Sequence, residues 1–260
     1  MKFTLIKTKL SIIEKICLTG MFTALAMVCQ KLFAVNYIPV IPFVRLSFGG
    51  PAIIIFSSIL LGPIYGAIVG FGSDVLGYLL LDQSGMGFMP QISMIYGLLG
   101  FASYFIFSFV CMAKKRKVIL GIEIASFAAI WVAITLYVLL NKQIALYGSI
   151  YDVPLLAKIL VPSITGVLLA GLVVFSILYK GKDAKPIISP LHICFASFIC
   201  DLLILVIFGS IMKGWAFGFQ TYAAILLCQA MILFFNVVLD TALISVFLRF
   251  TKKYFVEENA

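Results

Sequence analysis

One acidic residue, Asp74, lies inside a long apolar stretch and is the first candidate for chemistry. It follows Gly62, Gly66 and Gly70 at intervals of four residues, so the four positions drift slowly along one face of a helix. Small residues at this spacing let membrane helices approach closely, which predicts a packing seam. A carboxylate in a membrane span normally faces a cavity or a partner. We therefore expect Asp74 either to contact a ligand or to pair with another side chain.

Polar residues later in the chain are further candidates. Asn236 and Asp240 are four residues apart and are thus neighbours on a helix surface, and we expect Asp240 to pair with solvent or with a nearby arginine. Asp201, nearer the middle of its apolar stretch, is a binding candidate. Glu123 follows the basic run 114–117, which predicts an ion pair at a helix end.

Two connections between apolar stretches carry residues that suit ligand recognition. Residues 35–51 mix prolines and aromatic residues with Arg45, whose planar fork of donors can bind a carboxylate, although a lone interfacial arginine also commonly anchors lipid headgroups. The connection formed by residues 82–90 is expected to be short, flexible and nearly uncharged, as a gate requires. Lys213 and Trp215 are expected on the same outer side, where Trp215 can instead belong to the aromatic belt.

The composition requires lipid as the solvent for the elements that position these residues. Hydrophobic residues make up 63% of the chain and charged residues 11%, and the mean hydropathy is +1.19. In a bilayer every backbone N–H and C=O needs an internal partner, which leaves helices and closed barrels. The apolar stretches are continuous and lack the alternation of barrel strands. An all-α, polytopic transmembrane bundle in one membrane domain, residues 1–260, is the predicted fold.

Runs of about 20 apolar residues predict about eight spans. Their expected bounds are 12–33, 49–61, 63–81, 89–112, 118–140, 156–179, 191–212 and 221–250. The second run covers only about 20 Å at 1.5 Å per residue, against a core of about 30 Å, and it ends at Gly62-Pro63. A short, broken helix is typical of a membrane binding cavity, and a tilted or kinked hairpin is the alternative.

Basic residues predict the orientation of the bundle. Alternate connections carry 14 Lys and Arg residues on one side and 5 on the other. Because cytoplasmic loops are enriched in Lys and Arg, both termini are expected in the cytoplasm, and the protein in the cell membrane. The first apolar stretch is expected to be an uncleaved span rather than a signal peptide, since the charge count balances with it retained.

The sequence lacks the residues that several classes of function require. One histidine, His192, expected at a helix end, and six scattered cysteines without a CxxC pair give no metal site. A net charge of +9 that is spread between apolar runs does not indicate a nucleic-acid partner. No DDxxD motif and no GxxxxGK[ST] loop occurs. We expect a non-catalytic protein without metal or cofactor, whose ATPase, if transport is ATP-driven, is another chain.

Four sequence segments together resemble the substrate-binding S component of energy-coupling factor (ECF) transporters. They are VRLSFGGP at 44–51, LGPIYGAIVG at 61–70, SDVLG at 73–77 and YGLLG at 96–100. The likeness covers roughly residues 16–110, is echoed by residues 236–241, and is greatest to the folate branch. The family usually has six spans, so the chain would carry an additional hairpin, 118–179, between its first four spans, 12–112, and its final pair, 191–250. The expected gate motif is only partly matched by residues 87–91.

The resemblance implies a vitamin-binding subunit that works with a transmembrane coupling subunit and two cytoplasmic ATPases. It implies that Gly20 and Ala24 dock on the coupling subunit and that loops around 45–48 and 85–91 close over the ligand from outside. In a folate site, Asp74 would accept from the pterin, Tyr96 and Phe48 would stack on its rings, and Arg45 or Lys213 would meet the glutamate tail. The expected substrate-binding residues are Arg45, Ser47, Phe48, Asp74, Gln91, Tyr96, Lys213, Trp215 and Asn236.

Three alternatives stay open at this point. The nearest is an S component for another vitamin or metabolite. An intramembrane enzyme would need a nucleophile with its base, or a carboxylate cluster for a metal. A structural membrane protein would not be stabilised by any small molecule.

Overall fold

The chain folds into a bundle of apolar helices. The computed structural model describes residues 10–33, 48–81, 88–112, 116–146, 149–178, 188–217 and 222–255. The helices there are α1 (Ile12–Lys31), α2 (Gly50–Leu61), α3 (Pro63–Leu81), α4 (Pro90–Met112), α5 (Arg116–Leu140), α6 (Leu155–Leu178), α7 (Pro190–Cys200), α8 (Gly209–Phe217) and α9 (Tyr222–Phe255). A π-helical stretch, Asp201–Phe208, joins α7 to α8. In this part of the chain seven helices, counting the α7–α8 run as one, have the length and apolarity to cross a membrane.

The sequence predicted most helix ends within two residues, and three features differ. The α7–α8 run continues to Phe217, past the expected end at Met212, and α9 continues to Phe255, past Phe250. Between α5 and α6 the chain forms a two-stranded antiparallel hairpin, β1 (Gln143–Leu146) and β2 (Ser149–Asp152). Strands this short carry too little alternation to be recognised beside long apolar runs.

Helix α2 is as short as predicted, and it turns back directly on α3. It has 12 residues and ends at Gly62, whose φ of 105° lies in a region that glycine adopts without steric cost. A Cβ atom at Gly66 would lie 2.6 Å from the Cβ atom of Ser58, so the two helices are in contact. This packing favours the hairpin alternative at the Gly62-Pro63 step.

The glycine seam of α3 packs against α4, as its spacing predicted. A Cβ atom at Gly66 would lie 2.6 Å from the carbonyl oxygen of Gly100, and one at Gly70 would overlap the backbone of Tyr96. Only glycine allows backbones to come this close. The seam sets the rotation of α3 and thereby directs Asp74 toward α1 and α4.

Two apolar clusters form the core of the bundle. One joins α1–α4 to α7 and α9, and the other joins α5 and α6 to α7 and α9. The α5–α6 pair is also held by two side-chain bonds to backbone carbonyls, from Trp131 Nε1 to Pro162 (3.1 Å) and from Lys158 Nζ to Leu139 (3.0 Å). Helices α7 and α9 therefore belong to both clusters and connect them.

Candidate ligand-binding site

Asp74 is paired within the bundle. Its Oδ2 atom accepts a hydrogen bond from Ser93 Oγ of α4 at 2.7 Å, and its Oδ1 atom lies 3.8 Å from Lys31 Nζ of α1. The carboxylate thus links α1, α3 and α4 at one level of the bundle. Of the two alternatives for Asp74, the pairing is the one observed, and the sequence alone did not identify Ser93 or Lys31 as its partners.

A second polar group lies where α2 begins. Gly49 precedes the helix with a φ of 77° and, as a glycine, has no side chain that could cap it. The side chain of Gln30, on the last turn of α1, lies directly on the backbone of Gly50. Gln30 is 4% exposed, and within the part of the chain that the structure describes neither its Nε2 nor its Oε1 atom has a hydrogen-bond partner. The sequence does not predict this burial, because a polar side chain at the end of an apolar run normally lies at the membrane–water interface.

Aromatic and amide side chains lie close to the same helix end. Phe48, which is 39% exposed, contacts Phe235 of α9 edge-to-face with ring centroids 5.3 Å apart. Asn236, the next residue of α9, is 8% exposed and belongs to the same stretch of helix. Phe48 therefore contacts α9 at the residue next to Asn236.

Asp240 lies one turn further along α9 and faces Asp201. Both residues are fully buried, and Asp240 accepts a hydrogen bond from the backbone N–H of Ala52 in the first turn of α2. That N–H has no partner within its own helix, and the positive end of the helix dipole favours a carboxylate there. The expected pairing of Asp240 with solvent or an arginine is wrong, because the rotation of α9 turns the residue inward.

The two carboxyl groups face each other without a donor between them. Among the described residues, neither oxygen of Asp201 and not Oδ2 of Asp240 has a hydrogen-bond partner other than the facing carboxyl group. Two carboxyl groups can bond to one another only if one of them carries a proton. The pair lies where the π-helical stretch begins, a local widening of the helix that is frequent at functional sites.

The predicted ion pair of Glu123 is also wrong for the described part of the chain. Glu123 is fully buried, and its Oε1 atom accepts from Ser176 Oγ at 3.2 Å and from Cys194 Sγ at 3.0 Å. Arg116, from the basic run, instead donates to the backbone oxygen of Ser176 at 3.4 Å. Glu123 faces α6 and α7 because Glu123 and Phe127 are one turn apart, and Phe127 packs on Phe198 of α7.

The remaining predicted residues are spread over the bundle. Gln91, Tyr96 and Lys213 are half-buried, and Trp215 is 64% exposed, which suits the aromatic-belt alternative. Arg45 and Ser47 lie outside the described residues, as do residues 82–87 of the expected gate. In the described ranges, no group of three or more His, Cys, Asp and Glu side chains could hold a metal ion. His192 lies in the first turn of α7, the helix-end position that was expected.

The outward face of α1 carries the predicted docking residues. Gly20 and Ala24 are both exposed, and a Cβ atom added at Gly20 would meet nothing within 4 Å. Large apolar side chains flank them, with Met21 also exposed. This face is a shallow strip of small residues within an otherwise bulky apolar surface.

Comparison with known proteins gives one match. A family model described as the ECF-type riboflavin transporter, S component, matches residues 10–183, which is 174 of the 260 residues. The matched segment includes α1 to α6 and ends before α7. No curated protein and no solved structure matches the chain.

Proposed function

The chain belongs to the family of ECF-type transporter S components, and we propose that it captures riboflavin near the outer side of the bundle and delivers it inward. Membership establishes a non-catalytic, multi-pass membrane subunit that captures a vitamin-type substrate and works with a coupling subunit and ATPases. The name of the matched family supplies riboflavin as the first candidate substrate. Folate is the second candidate, because the segments at 44–51 and 73–77 resemble the folate branch.

The cluster of buried polar groups at the start of α2 supports this proposal most strongly. Among the residues that the structure describes, both polar atoms of the Gln30 amide are buried and lack a partner, although each such atom costs about 1–3 kcal/mol, and Asp201 and Asp240 have buried oxygens whose only side-chain partner is the facing carboxyl group. Binding sites for small molecules combine apolar and aromatic walls with a few convergent polar groups. Phe48 and Phe235 supply aromatic surface beside those polar groups.

Phe48 and Tyr96 keep the stacking roles that the resemblance implied, and the roles of the other predicted site residues are part of this proposal. Phe48 and Tyr96 would stack on the ligand's rings, Asn236 and Gln91 would hydrogen-bond to it, and Arg45, Ser47, Lys213 and Trp215 would act from the outer connections. Asp74 would contact the ligand only if the ligand replaced Ser93 and Lys31 as partners of its carboxylate. Its present partners therefore support a positioning role for Asp74.

The coupling subunit would dock on the strip at Gly20 and Ala24. Within lipid, helices associate through close backbone packing, which small residues permit. Both termini would lie in the cytoplasm, and α5–α6 with the β-hairpin would form an addition to a core of α1–α4, α7 and α9.

A thermal-shift panel of vitamins on the detergent-purified protein tests the proposal. A ligand that binds only the folded state at 100 times its Kd adds about 2.7 kcal/mol of stability. Riboflavin should raise the melting temperature by several degrees, with the folates and an unrelated vitamin such as biotin as comparisons. A rise in melting temperature with folate alone would make folate, instead of riboflavin, the proposed substrate. No shift with any vitamin would overturn it.

A further inference from the structure

The amide of Gln30 is the buried polar group on α1 that its own helix does not satisfy. Thr19 and Thr23, also buried on α1, donate to the carbonyl oxygens of Lys15 and Thr19 at 2.7 and 2.8 Å. Gln30 makes no such bond, and in the described ranges both ends of its amide lack a partner. Replacing one buried donor and one buried acceptor by an apolar group would stabilise the ligand-free protein. The amide therefore needs a function that offsets this cost.

The position of Gln30 indicates a ligand as its partner. The residue lies on the last turn of α1 and against Gly50, the first residue of α2. Two residues before Gly50, the ring of Phe48 contacts Phe235 beside Asn236. The unpaired amide thus lies against the first residue of α2, two residues along the chain from Phe48, which supplies aromatic surface.

We propose, on the basis of the proposed function, that Gln30 determines specificity by pairing with the N–H/C=O edge of the ligand's ring system. A primary amide offers one carbonyl acceptor and two N–H donors in a single plane. The imide of an isoalloxazine and the lactam of a pterin each present an N–H beside a C=O, so two parallel hydrogen bonds form. Riboflavin and folate share this chemistry, and the amide would reject rings that lack the N–H.

Methylation of the ring N–H provides a direct test. Riboflavin and N3-methylriboflavin are titrated against the full-length protein in nanodiscs, and binding is followed by the change in flavin fluorescence. The wild type should bind the methylated compound about 10- to 100-fold more weakly, because one hydrogen bond is lost and its partner stays unpaired. If the wild type binds folate instead, folate and its N3-methyl analogue replace the flavin pair.

Two variants separate specificity from stability. Gln30→Met keeps the length of the side chain without its polar atoms, and should weaken riboflavin about 10- to 100-fold while binding both flavins equally. Its ligand-free melting temperature should be equal to or above that of the wild type, which a merely structural role would lower. Thr23→Val on the same helix is the matched control and should keep the wild-type discrimination.

Three results would contradict the inference. The role of Gln30 would be overturned if the Gln30→Met variant still preferred riboflavin over the methylated compound, or if the wild type bound both flavins equally. Either result would leave the proposed function intact. Wild type that binds neither vitamin would overturn the proposed function and this inference with it.

Discussion

Each buried acid in this bundle has a different set of partners. Asp74 has a hydroxyl and an ammonium group, Glu123 has a hydroxyl and a thiol, and Asp240 has a helix N-terminus and a second carboxyl group. A charge taken out of water is costly unless it is paired and hydrogen-bonded. The acids therefore mark the places where helix rotation is fixed most tightly.

Replacing Ser93 with alanine should destabilise the protein. Ser93→Ala removes the donor to Asp74 Oδ2, and a hydrogen bond to a charged group contributes about 1.5–3 kcal/mol. Ser103→Ala on the same helix is the control, because the Ser103 hydroxyl donates only to carbonyl oxygens of its own helix, those of Leu99 and Gly100. Thermal unfolding in one detergent should show the larger loss for Ser93→Ala. Equal losses would mean that the Ser93–Asp74 bond contributes little.

Glu123 should tolerate an amide better than a truncation. Glu123→Gln keeps an oxygen that accepts from Ser176 and Cys194, whereas Glu123→Ala removes that acceptor and leaves a cavity. We expect Glu123→Ala to lose about 2–4 kcal/mol and Glu123→Gln less than half of that. Ser126→Ala, at a half-buried position of α5 where the hydroxyl only donates to the carbonyl oxygen of Ile122 in its own helix, is the control. Melting temperatures that rank the two Glu123 variants the other way would show that the negative charge itself is needed.

At the scale of elements, the contact between α3 and α4 depends on glycine. A Cβ atom at Gly100 would overlap the backbone of Gly66, whereas one at Gly97 would lie 3.4 Å from the Cβ atom of Phe71, an ordinary contact. Gly100→Ala should therefore lower stability by about 1–3 kcal/mol through overpacking, and Gly97→Ala should be nearly neutral. Unfolding in detergent measures both. A neutral Gly100→Ala would mean that the two helices are further apart than the structure places them.

The sequence predicted elements well and contacts between elements poorly. Apolar runs bounded by Pro63, Pro90 and the Gly62 break fix helix ends, because lipid and the proline ring leave few alternatives. The partners of Glu123 and Asp240 depend on helix rotation, which no single apolar run encodes. Gln30 was missed for the same reason, since it is buried in contact with Gly50, a residue 20 positions away whose proximity the sequence does not show.

At the scale of the whole molecule, the open strip on α1 should be where the subunit meets its transporter. Gly20→Leu would fill the strip, and we expect at least a tenfold loss of co-purified coupling subunit with vitamin binding unchanged. Gly121→Leu is the matched control, because Gly121 is also exposed and a Cβ atom there meets nothing within 4 Å. Pull-down of tagged variants with the coupling subunit and ATPases measures the difference. Equal losses for both variants would place the docking surface elsewhere.

The central claim is that this bundle holds a single vitamin molecule. Equilibrium dialysis of radiolabelled riboflavin against the purified protein in nanodiscs, with unlabelled folate as competitor, measures it directly. We expect saturable binding of one riboflavin per chain, which Gln30→Met weakens and Thr23→Val leaves unchanged. Binding that does not saturate, or that is the same in empty nanodiscs, would contradict it.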